Sequence, residues 1–396
     1  MSFGLCREGF EGAGFRPLGL WIRNYKSLVN QMKSLGFNTF RIPYSNEMLL
    51  NTSVISGVDY YVNPELVGLT PLQLLDLIVE YCGSVDMRII LDRHSARAAN
   101  YIEETLWYIP GDPYYTEERL IEDWIFLAKR YKGTTVIGAD LWNEPKEISS
   151  WGTGNIATDW NLAAERIGNA ILEVNPDWLI FVEGIGIGTW WGGNLQGVAK
   201  HPVRLSIPNK IVYSVHEYCQ DVNNQTWFFD PIFPANLRNI WEINFGYIVR
   251  EQKAPLWVGE FGTAFRYKSD WAWLAHWVRY INGEYTHDGV SELPAGHKGI
   301  SWTYWSIAPG GDTGGILKED WISVETVKLA YISSAMGEPF SYINRSIPFT
   351  PPPANKTSVV SMPTAQPTAR PLFLNASGNQ IITASGHYVR MTGVNW

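Results

Sequence analysis

Short apolar runs with the character of β-strands alternate with amphipathic segments along most of this chain. We predict seven strands, each flanked by turn residues, at 38–44, 88–94, 136–144, 179–184, 211–218, 255–262 and 299–306. Such alternation favours a parallel sheet covered by helices, either doubly wound or closed into a barrel. The 396 residues, of which 45% are hydrophobic, suffice to bury the core of one large barrel or of two smaller domains.

Several of the intervening segments carry the signals of helices. Apolar residues repeat at helical spacing over 25–35, before a glycine that can cap the helix. Thr70-Pro71 marks the start of a second helix, which Gly83 is expected to close. Two further helices are expected at 160–174 and 270–281.

The chain ends on a further strand-like run, GHYVRMTGVNW, at 386–396. A (β/α)8 barrel needs eight strands, and the first of the seven above is preceded by a helix. We therefore predict an α/β fold, a circularly permuted (β/α)8 TIM barrel whose first strand is at the C-terminus. Its parts are residues 1–346 with strands 2–8, a Pro/Thr/Ser-rich linker at 347–373, and a β-hairpin with the first strand at 374–396, all in one domain.

A tandem arrangement, in which each chain lends its last strand to a neighbour, would leave the same sequence. The extended linker spans roughly 80 Å, which is enough for a chain to supply its own strand. We therefore expect a monomer rather than a strand-swapped dimer.

Polar and aromatic residues stand at the C-terminal ends of the predicted strands, where such a barrel places its active site. They are Arg41, His94, Asn143, Glu144, His216, Tyr218, Glu260 and Trp305. Two carboxylates facing each other across the barrel mouth suit glycoside hydrolysis, in which one protonates the leaving oxygen and the other attacks the anomeric carbon. We expect His and Arg to keep the nucleophile ionised, and a drier pocket to keep the acid protonated.

The motifs around these residues resemble those of glycoside hydrolase family five, and within it the endo-β-1,4-glucanases, or cellulases. They are LGFNTFRIPYSN, RIILDRH, DLWNEP, TWWGGNLQG, HEYCQD, WVGEFGT, WTYWSIAPGGDTGGILKEDW and the terminal GHYVRMTGVNW. The resemblance covers nearly all of the chain except the linker. It implies a retaining hydrolase that acts on polysaccharide or oligosaccharide chains of the cellulose type and uses neither a cofactor nor a metal.

The resemblance also implies roles for the residues nearest the scissile bond. Glu144 would be the general acid/base and Glu260 the nucleophile. Asn143 would hydrogen-bond the sugar 2-hydroxyl, and Arg41 and Tyr218 would hold the nucleophile.

Five more residues would bind the sugars. The resemblance implies that His94 and His216 lie at the cleaved sugar and that Trp305 forms the aromatic platform beneath it. Trp191 and Trp21 would stack against sugars further along the cleft, although core packing explains these two equally well.

Other substrates and two other functions compete with cellulose hydrolysis as interpretations of this sequence. The segment after His94, SARAANYIEETLWY, differs from the usual cellulase loop, so β-mannan, mixed-linkage glucan and short β-glucosides stay open as substrates. A metal-dependent hydrolase would use ligands such as His94, His216 and Glu217, but the sequence has no HExxH motif and no closely spaced His pair. A non-catalytic sugar-binding barrel would require the loss of a catalytic carboxylate, and both are present.

Composition bears on partners and location. The net charge of −8, without a basic run, argues against a nucleic-acid partner, and no apolar stretch long enough for a membrane span is present. N-x-S/T sequons, such as those at Asn51 and Asn224, favour a secreted origin, and we expect no signal peptide in this chain. The three cysteines have no metal-like spacing, and we expect none of them to be catalytic.

Overall fold

The computed structural model describes residues 9–12, 14–98, 104–186, 191–284, 286–287, 290–291, 293–340 and 373–396. The predicted linker, 347–373, lies outside these ranges except for its last residue. None of the helices in the described part of the chain combines the length and the apolar character that crossing a lipid bilayer requires.

The strands of the structure include all seven internal strands predicted from the sequence. In chain order their bounds are β1 Thr39–Ser45, β2 Arg88–Ser95, β3 Val136–Asp140, β4 Leu179–Glu183, β5 Ile211–Tyr218, β6 Leu256–Gly262, β7 Thr286–His287, β8 Val290–Ser291, β9 Ser301–Tyr304, β10 Leu374–Ser377, β11 Gln380–Thr383, β12 Tyr388–Val389 and β13 Thr392–Asn395. The main sheet is a closed parallel barrel in the order β1-β13-β9-β6-β5-β4-β3-β2. The predicted (β/α)8 barrel is therefore confirmed.

Strand β13 lies between β1 and β9 and pairs with both. Its Gly393 is opposite Thr39 of β1 and Thr303 of β9. A Cβ on Gly393 would lie 2.0 Å from the carbonyl oxygen of Thr39, so this close approach of two backbones requires glycine. One residue beyond the strand, the backbone N–H of Trp396 donates to the carbonyl of Arg41 at 3.1 Å. The predicted pairing of the C-terminal strand is thus confirmed.

Helices cover the outside of the barrel. Their bounds are α1 Tyr25–Ser34, α2 Asn46–Leu50, α3 Pro71–Ser84, α4 Glu117–Arg130, α5 Trp160–Val174, α6 Leu237–Trp241, α7 Tyr247–Arg250, α8 Lys268–Ile281 and α9 Thr326–Ile332. Thr70 caps α3 as predicted, through a reciprocal pair of hydrogen bonds with Gln73. The predicted closing role of Gly83 is wrong, because Gly83 is buried inside the last turn and the left-handed position after the helix is taken by Asp86, with a φ of 60°.

A three-stranded antiparallel sheet, β10-β11-β12, covers the amino-terminal end of the barrel. Its Leu374, Ile381 and Val389 pack in one apolar cluster with residues near the starts of the barrel strands. Lys210, just before β5, donates to the carbonyl of Leu374 at 2.9 Å. The opposite, carboxyl-terminal end of the barrel carries the polar side chains.

Candidate active site

Arg41 on β1 is fully buried and lies at the centre of the site. Its Nε donates to Asp140 Oδ2 and its Nη2 to Asn143 Oδ1, each at 2.9 Å. The same Nη2 lies 3.3 Å from Glu183 Oε1, and Nη1 lies 3.1 Å from Asp92 Oδ2. Because the carboxyl ends of parallel barrel strands converge, one guanidinium reaches the ends of β2, β3 and β4.

Glu260 on β6 is held through both of its carboxylate oxygens. Oε1 accepts a hydrogen bond from Arg41 Nη1, and Oε2 accepts one from the hydroxyl of Tyr218 at 2.6 Å. The same Arg41 nitrogen also donates to Asn395 Oδ1 of the closing strand, at 3.1 Å. The residue is 3% exposed, so both donors fix the orientation of its carboxylate in a site that excludes most water.

Glu144 lies in the loop after β3 and not in the strand, which the sequence had predicted to continue to residue 144. Its backbone has a φ of 51°, and its N–H donates to Glu183 Oε2 at 2.9 Å. His216 Nδ1 lies 2.9 Å from Glu144 Oε1 and 3.4 Å from Glu260 Oε2. One oxygen of each carboxylate and one nitrogen of His216 all lie within 4.8 Å of one another. His216 therefore stands between the two acids.

His94 and Trp305 form one wall of the site. Their rings stack with centroids 5.5 Å apart and planes inclined by 14°. His94 Nδ1 lies 2.7 Å from Asp92 Oδ2, and its Nε2 lies 3.4 Å from both Glu11 Oε2 and Asn143 Nδ2. Burial favours the neutral ring, but the carboxylates of Glu11 and Asp92 outweigh burial and raise the pKa of His94 to about 9.

Buried acids outnumber buried cations in this network, so ionisation of all the acids together is unfavourable. Burial raises the pKa of Asp140 well above its ordinary value, although Arg41 opposes the shift. Burial also raises the pKa of Glu183, but the adjacent His216 and Arg41 favour its carboxylate form. Burial alone would lower the pKa of His216, but Glu183 and the other carboxylates hold it well above its ordinary value. Burial likewise opposes ionisation of Glu144, yet the hydrogen bond from His216 holds the pKa of Glu144 below its ordinary value. A dry pocket was predicted to keep the acid protonated, whereas the structure places His216 beside Glu144, which favours its carboxylate form.

The two peripheral tryptophans are not part of this network. Trp21 is 42% exposed and packs edge-on against Trp321, with ring centroids 5.2 Å apart and the Arg16 guanidinium over its ring. Trp191 is half-buried in the loop after β4. Their contact with sugars stays a prediction.

The ligand set weighed for a metal-dependent hydrolase is not assembled. His216 and Glu217 are neighbours on β5, and their side chains face opposite sides of the strand. Glu217 points outward, where its Oε1 accepts hydrogen bonds from the indoles of Trp241 at 2.9 Å and Trp273 at 3.0 Å. The structure thus separates Glu217 from both histidines.

Two groups within the described residues bring metal-binding atom types close together. They are Glu144 with His216 and Glu260, and Cys219 with Asp221 and Asp270. In the first, carboxylates face both nitrogens of His216, which favours a protonated ring over a metal ligand. In the second, the Cys219 thiol donates to Asp221, and burial raises the pKa of that thiol.

Several residues that contact Arg41 were not predicted from the sequence. They are Asp92, Asp140, Glu183 and Asn395, all fully buried. Each is a polar residue that directly follows a buried apolar residue near the carboxyl end of a barrel strand. That pattern was a usable signal, because parallel strands buried on both faces are otherwise almost continuously apolar.

The buried Glu217 carboxyl provides a test of the electrostatics outside the site. Burial raises its pKa to about 7 from an ordinary value of 4.5, although the two indoles lower it in part. The folded protein therefore holds a proton that the unfolded chain releases between these values, and stability falls as pH rises through that window. The side chain is 1% exposed, so the loss amounts to about 3 kcal/mol above pH 7.

Glu217→Gln should remove this pH dependence, because a neutral amide oxygen can accept both indole hydrogen bonds. We expect its free energy of unfolding to exceed that of the wild type by about 3 kcal/mol at pH 8 and to match it near pH 4.5. Urea unfolding at the two pH values measures the difference. If the free energies of unfolding of variant and wild type differ by the same amount at both pH values, Glu217 does not titrate in this window.

This chain resembles known proteins in both sequence and structure. The family model Cellulase (glycosyl hydrolase family 5) matches residues 7–311. An endoglucanase of Paenibacillus polymyxa is 45% identical over 329 residues, which cover 80% of this chain and 78% of the relative. The major extracellular endoglucanase of Xanthomonas campestris pv. campestris is 39% identical over 342 residues, which cover 83% of this chain and 66% of the relative.

Solved structures agree with these matches. The hyperthermophilic endocellulase from the archaeon Pyrococcus horikoshii superposes with a TM-score of 0.74 at 38% identity, over 84% of this chain and 92% of that one. The catalytic domain of the Xanthomonas enzyme gives a TM-score of 0.74 at 39% identity, over 82% and 92% of the two chains. The residues of the site all fall within the family match except Asn395 of the closing strand. The chain belongs to glycosyl hydrolase family 5, the cellulase family, and is a glycoside hydrolase.

Proposed function

We propose that this protein is a retaining endo-β-1,4-glucanase with Glu260 as nucleophile and Glu144 as general acid/base. The observation that carries the proposal is the pair of carboxylates on either side of His216, with one oxygen of each within 4.8 Å of the other. Retaining glycosidases need carboxyl groups about 5–5.5 Å apart, whereas inverting enzymes leave room for a water between them. The short spacing supports a double displacement.

Glu260 is suited to attack the anomeric carbon. Arg41 and Tyr218 each donate to one of its oxygens, so the carboxylate is oriented before substrate arrives. In the first step an oxygen of Glu260 forms a bond to the anomeric carbon while the glycosidic oxygen leaves with a proton from Glu144. In the second step Glu144 removes a proton from water, which attacks the same carbon and releases Glu260.

The proton for the first step is supplied by the pair formed by His216 and Glu144. His216 Nδ1 lies 2.9 Å from Glu144 Oε1, so the two groups titrate together. A sugar bound over the pair would displace water and raise the cost of the Glu144 anion, which moves the shared proton toward the leaving oxygen.

The substrate we propose is a β-1,4-glucan chain. Complexes of the Pyrococcus horikoshii endocellulase with cellotetraose support binding of an oligosaccharide of this type. Asn143, held by Arg41, would bind the 2-hydroxyl, and the stacked His94 and Trp305 would lie against the sugar at the cleavage point. Trp191 and Trp21 would contact more distant sugars.

Two measurements test this function. Proton NMR of the first product from an aryl β-cellobioside should show the β-anomer, because two inversions give net retention. Activity on carboxymethyl cellulose should exceed that on β-mannan, mixed-linkage glucan and short β-glucosides. An initial α-anomer would contradict the double displacement, and a preference for β-mannan would overturn the substrate.

We further propose that the order of strands reflects a circular permutation of the family barrel. The position of β13 between β1 and β9, together with the end of the family match at residue 311, supports this order. We infer a monomer that supplies its own closing strand, and light scattering after size-exclusion chromatography would reveal a strand-swapped dimer. Secretion is proposed from the sequons and from the extracellular relative of Xanthomonas campestris.

A further inference from the structure

We propose that Glu183 is a positioning residue for the reaction, because it holds Glu144 from two sides: through the backbone N–H of Glu144 and through His216. This inference rests on the proposed role of Glu144 as acid/base. Glu183 ends β4 and is fully buried, where its carboxylate contacts Arg41, His216 and the backbone N–H of Glu144. Its influence on the chemistry would therefore be indirect.

The first connection runs through the backbone. Glu144 adopts a φ of 51°, a left-handed conformation that is unfavourable for a residue with a side chain and that persists only where its surroundings hold it. Glu183 Oε2 accepts the N–H of this residue at 2.9 Å. This charge-assisted hydrogen bond fixes the backbone of Glu144 and thereby the direction of its side chain.

The second connection runs through the imidazole. Glu183 Oε1 lies 3.1 Å from His216 Nε2, while Nδ1 of the same ring lies 2.9 Å from Glu144 Oε1. The carboxylate of Glu183 thus favours the protonated ring, and the ring in turn presents an N–H to Glu144. Removing the charge at Glu183 would alter both the position and the proton affinity of Glu144.

Several neighbouring elements place groups near the Glu183 carboxylate. They are Arg41 on β1, Asp140 on β3, Glu144 after β3, His216 on β5 and Gly192 in the loop after β4. A Cβ on Gly192 would lie 2.4 Å from Glu183 Oε2. Gly192 has a φ of 67°, so Gly192→Ala would strain the loop and displace the carboxylate, but it would not change the charge of Glu183.

The test compares phenyl β-cellobioside, whose poor leaving group needs protonation, with 2,4-dinitrophenyl β-cellobioside, whose leaving group does not. Because kcat/KM reports the steps up to formation of the glycosyl-enzyme, a fault in proton donation appears only with the phenyl substrate. For Glu183→Gln we expect kcat/KM to fall on the order of 10²-fold with the phenyl substrate and less than about threefold with the dinitrophenyl substrate. Gly192→Ala should show the same selectivity at about tenfold.

Two further variants separate the possible outcomes. Glu144→Gln should also lose more kcat/KM with the phenyl substrate than with the dinitrophenyl substrate, and by a larger factor than Glu183→Gln. If Glu144→Gln slows both substrates equally, the acid/base assignment itself is overturned. Glu217→Gln is the matched control, because Glu217 is a buried glutamate that follows His216 in sequence but faces the helices. Its kcat/KM should change by the same factor with both substrates. If Glu144→Gln is selective but Glu183→Gln and Gly192→Ala slow both substrates equally, the positioning role is overturned. Should Glu183→Gln fail to fold, Gly192→Ala alone decides.

Discussion

Glu260→Ala should abolish turnover on every glycoside, with a loss of kcat on the order of 10⁵-fold. The methyl group cannot form the bond to the anomeric carbon, and the substitution removes the carboxylate that Arg41 and Tyr218 orient. The loss should be the same for good and poor leaving groups, because nucleophilic attack is needed for both. Rates with an aryl β-cellobioside and with carboxymethyl cellulose measure it.

Glu144→Ala should behave differently, although it removes a carboxylate from the same site. A dinitrophenyl cellobioside should still form the glycosyl-enzyme, because its leaving group needs little protonation. Hydrolysis of that intermediate should then be slow for lack of a base, and azide should restore turnover and give the β-glycosyl azide. The contrast between the two alanine variants assigns the roles.

The configuration of the azide product would reveal reversed roles of Glu144 and Glu260. If azide restores activity to Glu260→Ala with retained configuration, the nucleophile is Glu144 and the roles are reversed. Azide attack on substrate in the cavity of a true nucleophile variant would instead give the α-anomer. The configuration of the azide product therefore decides the assignment even when the rates alone do not.

The main features of the site were predictable because they follow from strand position. Once the parallel barrel was predicted, Arg41, His216 and Glu260 were expected to converge, since the carboxyl ends of its strands meet at one mouth. The alternation of side chains along β5 also placed His216 and Glu217 on opposite faces. His216 was expected at the barrel mouth, and Glu217 accordingly faces the helices.

The protonation state of Glu144 was not predictable from strand order. It depends on a nitrogen of His216 lying 2.9 Å away, and on a backbone turn that carries the carboxylate off the strand and over that ring. Burial alone would raise the pKa of Glu144, as the sequence predicted, but the hydrogen bond from His216 and the nearby positive charges together lower it. The positions of Trp21 and Trp191 depend on loops, whose conformations the periodic pattern does not determine.

Deleting Gly386–Trp396 should yield insoluble protein, although the deleted segment contains neither proposed carboxylate. Strands β1 and β9 would each lose a parallel partner and expose an unpaired edge in the middle of the barrel. Met391, Val394 and Trp396 are fully buried, and burial of each such side chain contributes about 1.5–3 kcal/mol. Together these amounts approach the entire stability of a typical domain, about 5–15 kcal/mol.

The matched control keeps the segment and changes only its place in the chain. Residues 374–396 are moved ahead of Phe3, so that Trp396 joins Phe3 directly and the chain ends at residue 346. The closing strand can then occupy the same position between β1 and β9, and Asn395 can again accept a hydrogen bond from Arg41. We therefore expect a soluble and active enzyme. Solubility, thermal unfolding and activity of the two variants are measured together. A soluble, active deletion variant would show that the barrel does not need β13, whereas an insoluble relocated variant would contradict the proposed permutation.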